Sequence, residues 1–210
     1  MTSDGNSCVG AAVLTGGQSR RMGFDKAMLR LDGHTLLRRT LDVLLGLTDH
    51  VTIIGDRARY HGLGVPVVAD LFPDAGPLGG IATALDQAAC SRVLIVACDM
   101  PFLSAAVLRD MLSVPGEYDA VVPVTARGVG EDDGALTFHP LHALYSRAFL
   151  PVALAAIVAG DLKVSNLLMS PRVRALPESW MRARDAALAT LVNVNSPDEL
   201  EDALKIHGRH

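Results

Sequence analysis

Five short apolar runs without a charge, at 9–14, 51–54, 67–69, 93–97 and 120–124, recur along the chain, with segments of helical spacing between most of them. A continuous apolar run closed by glycine or proline is the pattern of a strand covered on both faces. Parallel strands need crossover connections, so such runs alternating with helices call for a mostly parallel sheet with helices on both sides. The helices are predicted at 35–47, where Leu36/Leu37, Leu41 and Leu44/Leu45 recur at helical spacing, at 80–89 after a Pro/Gly loop at 70–79, and over the stripe Val107, Leu108, Met111 and Leu112. At 210 residues and 22.2 kDa the chain is expected to form a single domain with its core at about 9–204.

After Thr125 the rhythm loosens. The glycine and acid segment 127–134 reads as a mobile loop, 138–145 as one or two strands, 149–159 as a helix, 164–169 as a helical segment and 191–194 as a final strand. Ser196-Pro197-Asp198-Glu199 opens the last helix, with Ser196 as N-cap, Pro197 at the first helical position and Glu199 placed for a capping box.

Composition removes several classes of function. The longest nearly uncharged stretch, 148–160, contains Pro151 and falls short of the roughly 20 residues that span a bilayer, so no membrane association is expected. The first residues lack the basic and apolar regions of a secretion signal, which makes the cytoplasm the expected compartment. Cys8, Cys90 and Cys98 cannot all pair and match no C-x-x-C motif; they read as small core hydrophobes. A formal net charge of −4 argues against a nucleic-acid binder, so any anionic ligand must be held locally.

Two strand ends supply the means. The first runs into Leu14-Thr15-Gly16-Gly17-Gln18-Ser19-Arg20-Arg21-Met22-Gly23-Phe24-Asp25-Lys26. Gly16 and Gly17 let backbone N–H groups approach phosphate oxygens, Arg20 and Arg21 add positive charge, and Lys26 can reach in as a point charge. The pattern is neither a Walker loop nor G-x-G-x-x-G. The fourth strand ends in Ala97-Cys98-Asp99-Met100-Pro101, which sets a carboxylate where Mg²⁺ can be shared with substrate phosphates. Asp70 stands similarly after the third strand, as a ligand group or as an ordinary loop residue. His139-Pro140-Leu141-His142 reads as structural and not as a zinc site.

L-T-G-G-Q-S-R-R-M-G-F-D-K at 14–26, G-P-L-G-G at 76–80, C-D-M-P-F-L at 98–103 and N-V-N-S-P-D-E-L at 193–200, in this order, resemble the molybdenum cofactor guanylyltransferase family. The resemblance implies a three-layer α/β/α, nucleotide-diphospho-sugar transferase-like fold. It also implies transfer of GMP from GTP to the phosphate of molybdopterin, or of its molybdenum form, with release of pyrophosphate. On that resemblance Leu14, Thr15, Gly16, Gly17, Asp70 and Gly79 would contact the nucleotide, Lys26 would bind phosphate, Asp99 would ligate Mg²⁺, and Arg20 would join Lys26 and Asp99 in catalysis. Asn193, Asn195 and Lys163 would line the acceptor side. Other cofactor-biosynthesis or acceptor proteins stand as candidate partners. The chain departs from the family where Gly55-Asp56 follows the second strand in place of an Asn, leaving that nucleotide contact missing or supplied by Asp56. A stretch elsewhere richer in arginine is Gly160-Asp161-Leu162-Lys163-Val164 here.

The implied reaction asks little of side-chain bases. An acceptor phosphate, with its second pKa of about 6, is already largely dianionic at neutral pH. Catalysis then reduces to aligning two phosphates and neutralising charge on the α-phosphate and the leaving pyrophosphate. A cytidylyl or sugar-phosphate transferase of the same fold would share the first loop and Asp99, whereas a non-catalytic nucleotide-binding regulator would be preferred if Lys26 or Asp99 were absent, and both are present.

Overall fold

The computed structural model describes residues 8–16, 25–126 and 136–208. The expected loop at 127–134, together with Gly17, Arg20 and Arg21, lies outside them.

The first strand, β1 (Val9–Leu14), pairs in parallel with β4 (Val51–Ile54) on one side and β6 (Arg92–Ala97) on the other. Beyond β4 lies β5 (Val67–Val68), also parallel. On the other flank β9 (His142–Ser146) runs antiparallel between β6 and β7 (Ala120–Ala126), and β10 (Val173–Leu176) extends the sheet parallel to β7. With β8 (Leu136–Phe138) antiparallel on β7, the order is β10-β7-β9-β6-β1-β4-β5. The chain first builds outward from β1 through β4 and β5 and then returns to place β6 on the opposite side. Strand order therefore reverses at β1/β6, where ligands gather in such sheets.

Helices cover both faces. Against one face, α1 (Leu36–Leu45), α4 (Ala105–Leu112) and α7 (Glu178–Arg182) pack Leu37, Leu41, Leu108, Met111 and Met181 on Val13 and Val96. Against the other, α3 (Gly76–Gln87), α5 (Leu150–Ala159) and α6 (Val164–Leu167) pack Leu78, Ile81 and Ala153 on Leu14, Ile95 and Tyr145. The three-layer α/β/α reading holds. A third cluster joins Leu31 and Leu36, beside the small hairpin β2 (Arg30–Leu31) and β3 (His34–Thr35), to Val194, Leu200 and Ala203. It docks α8 (Pro197–His207) beside the segment that follows Lys26.

Several boundaries move, each for a local reason. Helix α1 begins after Thr35, whose hydroxyl accepts the Arg38 N–H at 3.2 Å as an N-cap. Helix α3 starts at Gly76 and not at residue 80, because Pro77 is tolerated in the first turn, where its missing N–H costs nothing. The expected strand at 191–194 is a 3₁₀ turn, Ala189–Leu191, followed by extended chain. There Val194 donates to the Asp99 carbonyl at 2.9 Å and joins no ladder. Strand β10, the hairpin and α2 (Arg57–Tyr60) have no counterpart in the sequence reading, being too short to show a period.

The cysteine reading is corrected as well. Cys8 and Cys90 form a disulfide, and only Cys98 is free and buried among the described cysteines. The parallel register sets Val9 opposite Arg92, so residues 82 apart in sequence meet with Cα atoms 5.1 Å apart. No helix among the described residues is long and apolar enough to cross a membrane.

Candidate active site

The two strands flanking the reversal point end side by side. Cys98 donates its N–H to the Leu14 carbonyl at 3.2 Å, so the chain after β1 and the Asp99 loop leave the sheet together. Thr15 gives both its N–H and its hydroxyl to the Ile54 carbonyl, each at 3.0 Å. With Leu14 and Thr15 committed in this way, Gly16 is the exposed group of the three, with open space where a side chain would stand.

The same packing explains the departure at Gly55. A Cβ there would collide with the Thr15 hydroxyl. Asp56, the next residue, caps α2, its Oδ1 accepting the Ala58 N–H at 2.9 Å.

Lys26 opens a 3₁₀ turn, Lys26–Met28, capped by Asp25, whose Oδ1 accepts the Ala27 N–H at 3.1 Å. The other Asp25 oxygen accepts from Tyr60 Oη at 2.8 Å and from Arg59 at 3.1 Å, which ties the end of the first loop to α2. Burial, with the Asp25 bond second, pushes the Tyr60 phenol up and keeps it a donor. From this anchored turn Lys26 Nζ donates to Asn195 Oδ1 and stands 3.8 Å from Asp99 Oδ2.

Asp99 is 19% exposed at its side chain, and its Oδ1 is buried with no hydrogen-bond partner in the protein. Burial raises its pKa and the Lys26 ammonium opposes that rise. Beside it burial, then the Asp99 charge, pushes the Cys98 thiol up, so Cys98 packs as a neutral core residue.

Asn195 is oriented from the opposite side. Glu199 Oε2 accepts from its backbone N–H at 2.8 Å and from its Nδ2 at 2.9 Å, which turns Oδ1 toward Lys26. Ser196 caps α8 through the Glu199 N–H at 3.1 Å, as expected. The reciprocal arm of the box differs, since Glu199 reaches back to the residue before the cap.

Lys26, Asp99 and Asn195 thus come together from three separate parts of the chain. Asn193 is exposed one step before the Val194 anchor, and Lys163 is exposed at the N-cap of α6 without an ion pair among the described residues. Asp70 Oδ1 accepts from Thr83 Oγ1 and from the Phe72 N–H, both at 2.9 Å, pinning the loop after β5 to α3. Gly79 is buried, and a Cβ on it would run into the Phe72 carbonyl; one on Gly80 would meet Leu14 Cδ1 at 2.9 Å. G-P-L-G-G is therefore a close-packed first helical turn. It has no side-chain cap and leaves N–H donors at the carboxyl edge of β1.

His139 and His142 flank the turn between β8 and β9. His139 Nε2 bonds Thr125 Oγ1 at 3.0 Å, and His142 is fully buried. The residues that sequence reasoning missed are Tyr60, Arg59 and Glu199 in its orienting role. They act by fixing Asp25 and Asn195, a geometry that no local pattern displays.

Residues 11–175 match the MobA-like NTP transferase domain. The molybdenum cofactor guanylyltransferase of Desulfosudis oleivorans is 34% identical over 194 residues, covering 91% of this chain and 92% of that protein. A Pelotomaculum thermopropionicum protein named "Probable molybdenum cofactor guanylyltransferase" is 35% identical over 91% of this chain and 89% of its own length. Among solved structures, molybdopterin-guanine dinucleotide biosynthesis protein A from Archaeoglobus fulgidus superposes with a TM-score of 0.74 at 25% identity, covering 97% of this chain and all of that one. The 2-C-methyl-D-erythritol 4-phosphate cytidylyltransferase of Thermus thermophilus, at 19% identity and a TM-score of 0.65, shares the fold. With its site at the β1/β6 reversal point and these relatives matched along nearly their whole length, the chain belongs to the MobA-like nucleotidyltransferases, in the molybdenum cofactor guanylyltransferase family.

Proposed function

We propose that this protein transfers the GMP moiety of GTP to the terminal phosphate of molybdopterin or its molybdenum form, releasing pyrophosphate, with Mg²⁺ held at Asp99. The observation that carries the metal assignment is the Asp99 carboxylate. One oxygen faces the Lys26 ammonium, and the other is buried without a partner, a costly arrangement unless a cation completes it. An oxygen donor at a strand end suits a hard divalent ion that shares its remaining positions with water and phosphate. When bound, Mg²⁺ supplies charge neutralisation across the α-phosphate and the departing pyrophosphate.

The protein's own groups do the rest. Lys26, held by the Asp25 cap and by Asn195, is the cation poised for phosphate. When a triphosphate enters, Lys26 exchanges its bond to Asn195 for one to a phosphate oxygen, which frees the Asn195 amide for the acceptor. Arg20 and Gly17, on the segment between Gly16 and Asp25, add charge and N–H donors. Gly16 offers open backbone, with Leu14 and Thr15 as its rigid support.

The uncapped first turn of α3, through Gly79, presents fixed donors to the nucleotide, and Asp70, whose loop is pinned to α3 through Thr83, lies by the nucleoside. Asn193 and Lys163 extend the acceptor side. The acceptor phosphate attacks the α-phosphorus as its dianion, and the bond to the β-phosphate oxygen breaks. No protein base is needed.

The test is incubation with molybdopterin, Mg²⁺ and each of GTP, CTP and ATP labelled at the α-phosphate. A labelled dinucleotide formed from GTP, lost on chelation and restored by Mg²⁺, is the expected result. Equal yield from CTP or ATP would overturn the guanine assignment. Label transfer to a sugar phosphate in place of molybdopterin would overturn the acceptor.

A further inference from the structure

At the amino-terminal edge of the sheet, opposite the active site, stands a cluster of soft ligands. Cys8 immediately precedes β1, His50 immediately precedes β4, and Cys90 lies two residues before β6. Since these strands are parallel neighbours, the residues ahead of them arrive side by side. The two sulfurs and an imidazole nitrogen of His50 all lie within 4.8 Å of one another, and no other such group of His, Cys, Asp or Glu occurs among the described residues.

Hydrogen bonds hold the His50 backbone and the segments beside the two cysteines. The His50 carbonyl accepts the Ala11 N–H at 2.8 Å, while the Thr48 hydroxyl donates to the Val9 carbonyl at 2.7 Å and accepts the His50 N–H at 3.1 Å. The turn bearing Cys90 is held by the Arg147 guanidinium on the Ala88 carbonyl at 3.3 Å and by the Arg147 N–H on the Ser91 carbonyl at 2.9 Å. Cys90 is buried, Cys8 half-buried and His50 exposed, so the cluster has a firm floor and an open side.

We propose that, once the Cys8–Cys90 bond is reduced, Cys8, Cys90 and His50 bind a thiophilic divalent ion of the Zn²⁺ class, at a site separate from Asp99. Zn²⁺ takes thiolate sulfur at about 2.3 Å and imidazole nitrogen at about 2.0 Å in a tetrahedron. Its ligand atoms then stand roughly 3.5–3.8 Å apart, a spacing the cluster reaches by side-chain rotation. Water fills the fourth position on the open side. Mg²⁺ prefers oxygen and is not drawn here, so the two centres sort their ions by ligand chemistry.

The redox step balances. A dithiol reductant gives two electrons to the disulfide and leaves as its own cyclic disulfide, while Cys8 and Cys90 take up two protons as thiols. Binding the ion then releases those two protons and leaves two thiolates and a neutral imidazole on the metal. Disulfide and ion are thus alternative fastenings of the same edge.

The test uses the full chain, reduced with a dithiol, freed of it without oxygen, and titrated with Co²⁺ and then Zn²⁺. A thiolate-to-cobalt charge-transfer band that saturates at one ion per chain and is displaced by Zn²⁺ is expected. It should be lost in Cys8→Ser and Cys90→Ser, weakened in His50→Ala, retained in Cys98→Ser and absent from the oxidised protein. In reduced wild-type protein, Zn²⁺ should also shield Cys8 and Cys90 from alkylation, a readout that needs no variant to fold. Turnover of the two serine variants should be unchanged, since the cluster lies across the sheet from the chemistry. No sulfur band in the reduced wild type, a band that survives both serine variants, or one that requires Cys98 would overturn the proposal. An unaltered affinity in His50→Ala would remove the imidazole from it.

Discussion

Asp99 carries a cost that the proposed Mg²⁺ site would offset. Burial lifts its pKa more than Lys26 lowers it, so the folded protein keeps a desolvated carboxylate that only a cation fully satisfies. Asp99→Asn keeps the volume and removes the charge. Turnover should fall by at least about 10²-fold, while the thermal midpoint should hold or rise because the buried charge is gone. Pyrophosphate release and thermal denaturation on one preparation check both, and near-normal turnover in Mg²⁺ would sink the metal assignment.

His142 shows the converse case of a titratable group kept neutral. It is fully buried with neither ring nitrogen bonded to protein, and burial, then His139, depresses its pKa from 6.5 to about 3. The unfolded chain binds a proton near 6.5 that the folded chain refuses. This contribution to stability is therefore complete above pH 6.5 and is lost as pH falls toward about 3. The slope approaches roughly 1.4 kcal/mol per pH unit for one proton. His142→Leu should flatten the profile in that window, as urea unfolding at a series of pH values would reveal. An unchanged slope would mean that another group carries the acid lability.

Among the elements, α3 is the one whose sequence is most tightly bound to its packing. Gly79 faces the Phe72 carbonyl and Gly80 faces Leu14, so the helix lies closer to β1 and the preceding turn than any side chain allows. Gly79→Ala forces the first turn of α3 away from Phe72. It should cost about 1–3 kcal/mol, as overpacking does. It should also weaken nucleotide binding, because the uncapped N–H groups move with the turn. Chemical denaturation and a GTP titration measure the two effects, and a variant of full stability and affinity would show that the turn has slack. Helix α8 couples stability to the site in a second way. Its third helical residue, Glu199, orients Asn195, so fraying at the cap reaches Lys26 through hydrogen bonds alone.

Across the whole molecule, the Lys26–Asp99–Asn195 site and the Cys8–Cys90–His50 cluster occupy opposite edges of one sheet. The disulfide closes a loop over 82 residues of sequence. Reducing it in the presence of a chelator should lower unfolding stability by about 2–4 kcal/mol, seen as a shift of the denaturation midpoint. The active-site edge should stay intact, because β1 and β6 remain joined by six registered pairs between the two ends. An unshifted midpoint would show that the sheet alone holds the amino-terminal edge.

The βα rhythm, the succession of strands along the chain before Thr125 and the place of Asp99 at a strand end were legible in the amino-acid sequence, because hydrophobic period and strand-end signals are local. So was the Ser196 cap, which is written in four consecutive residues. What only the tertiary structure decided is which distant groups meet. The antiparallel insertion of β9 and the docking of β10 depend on pairing across the sheet. The start of α3 depends on the close fit of Gly79 and Gly80. The bond between Cys8 and Cys90 follows from parallel register, and the meeting of Lys26, Asp99 and Asn195 follows from α8 closing over the hairpin. Each of these is a contact between segments far apart in sequence, and its free energy comes from shape and register that no window of neighbouring residues contains.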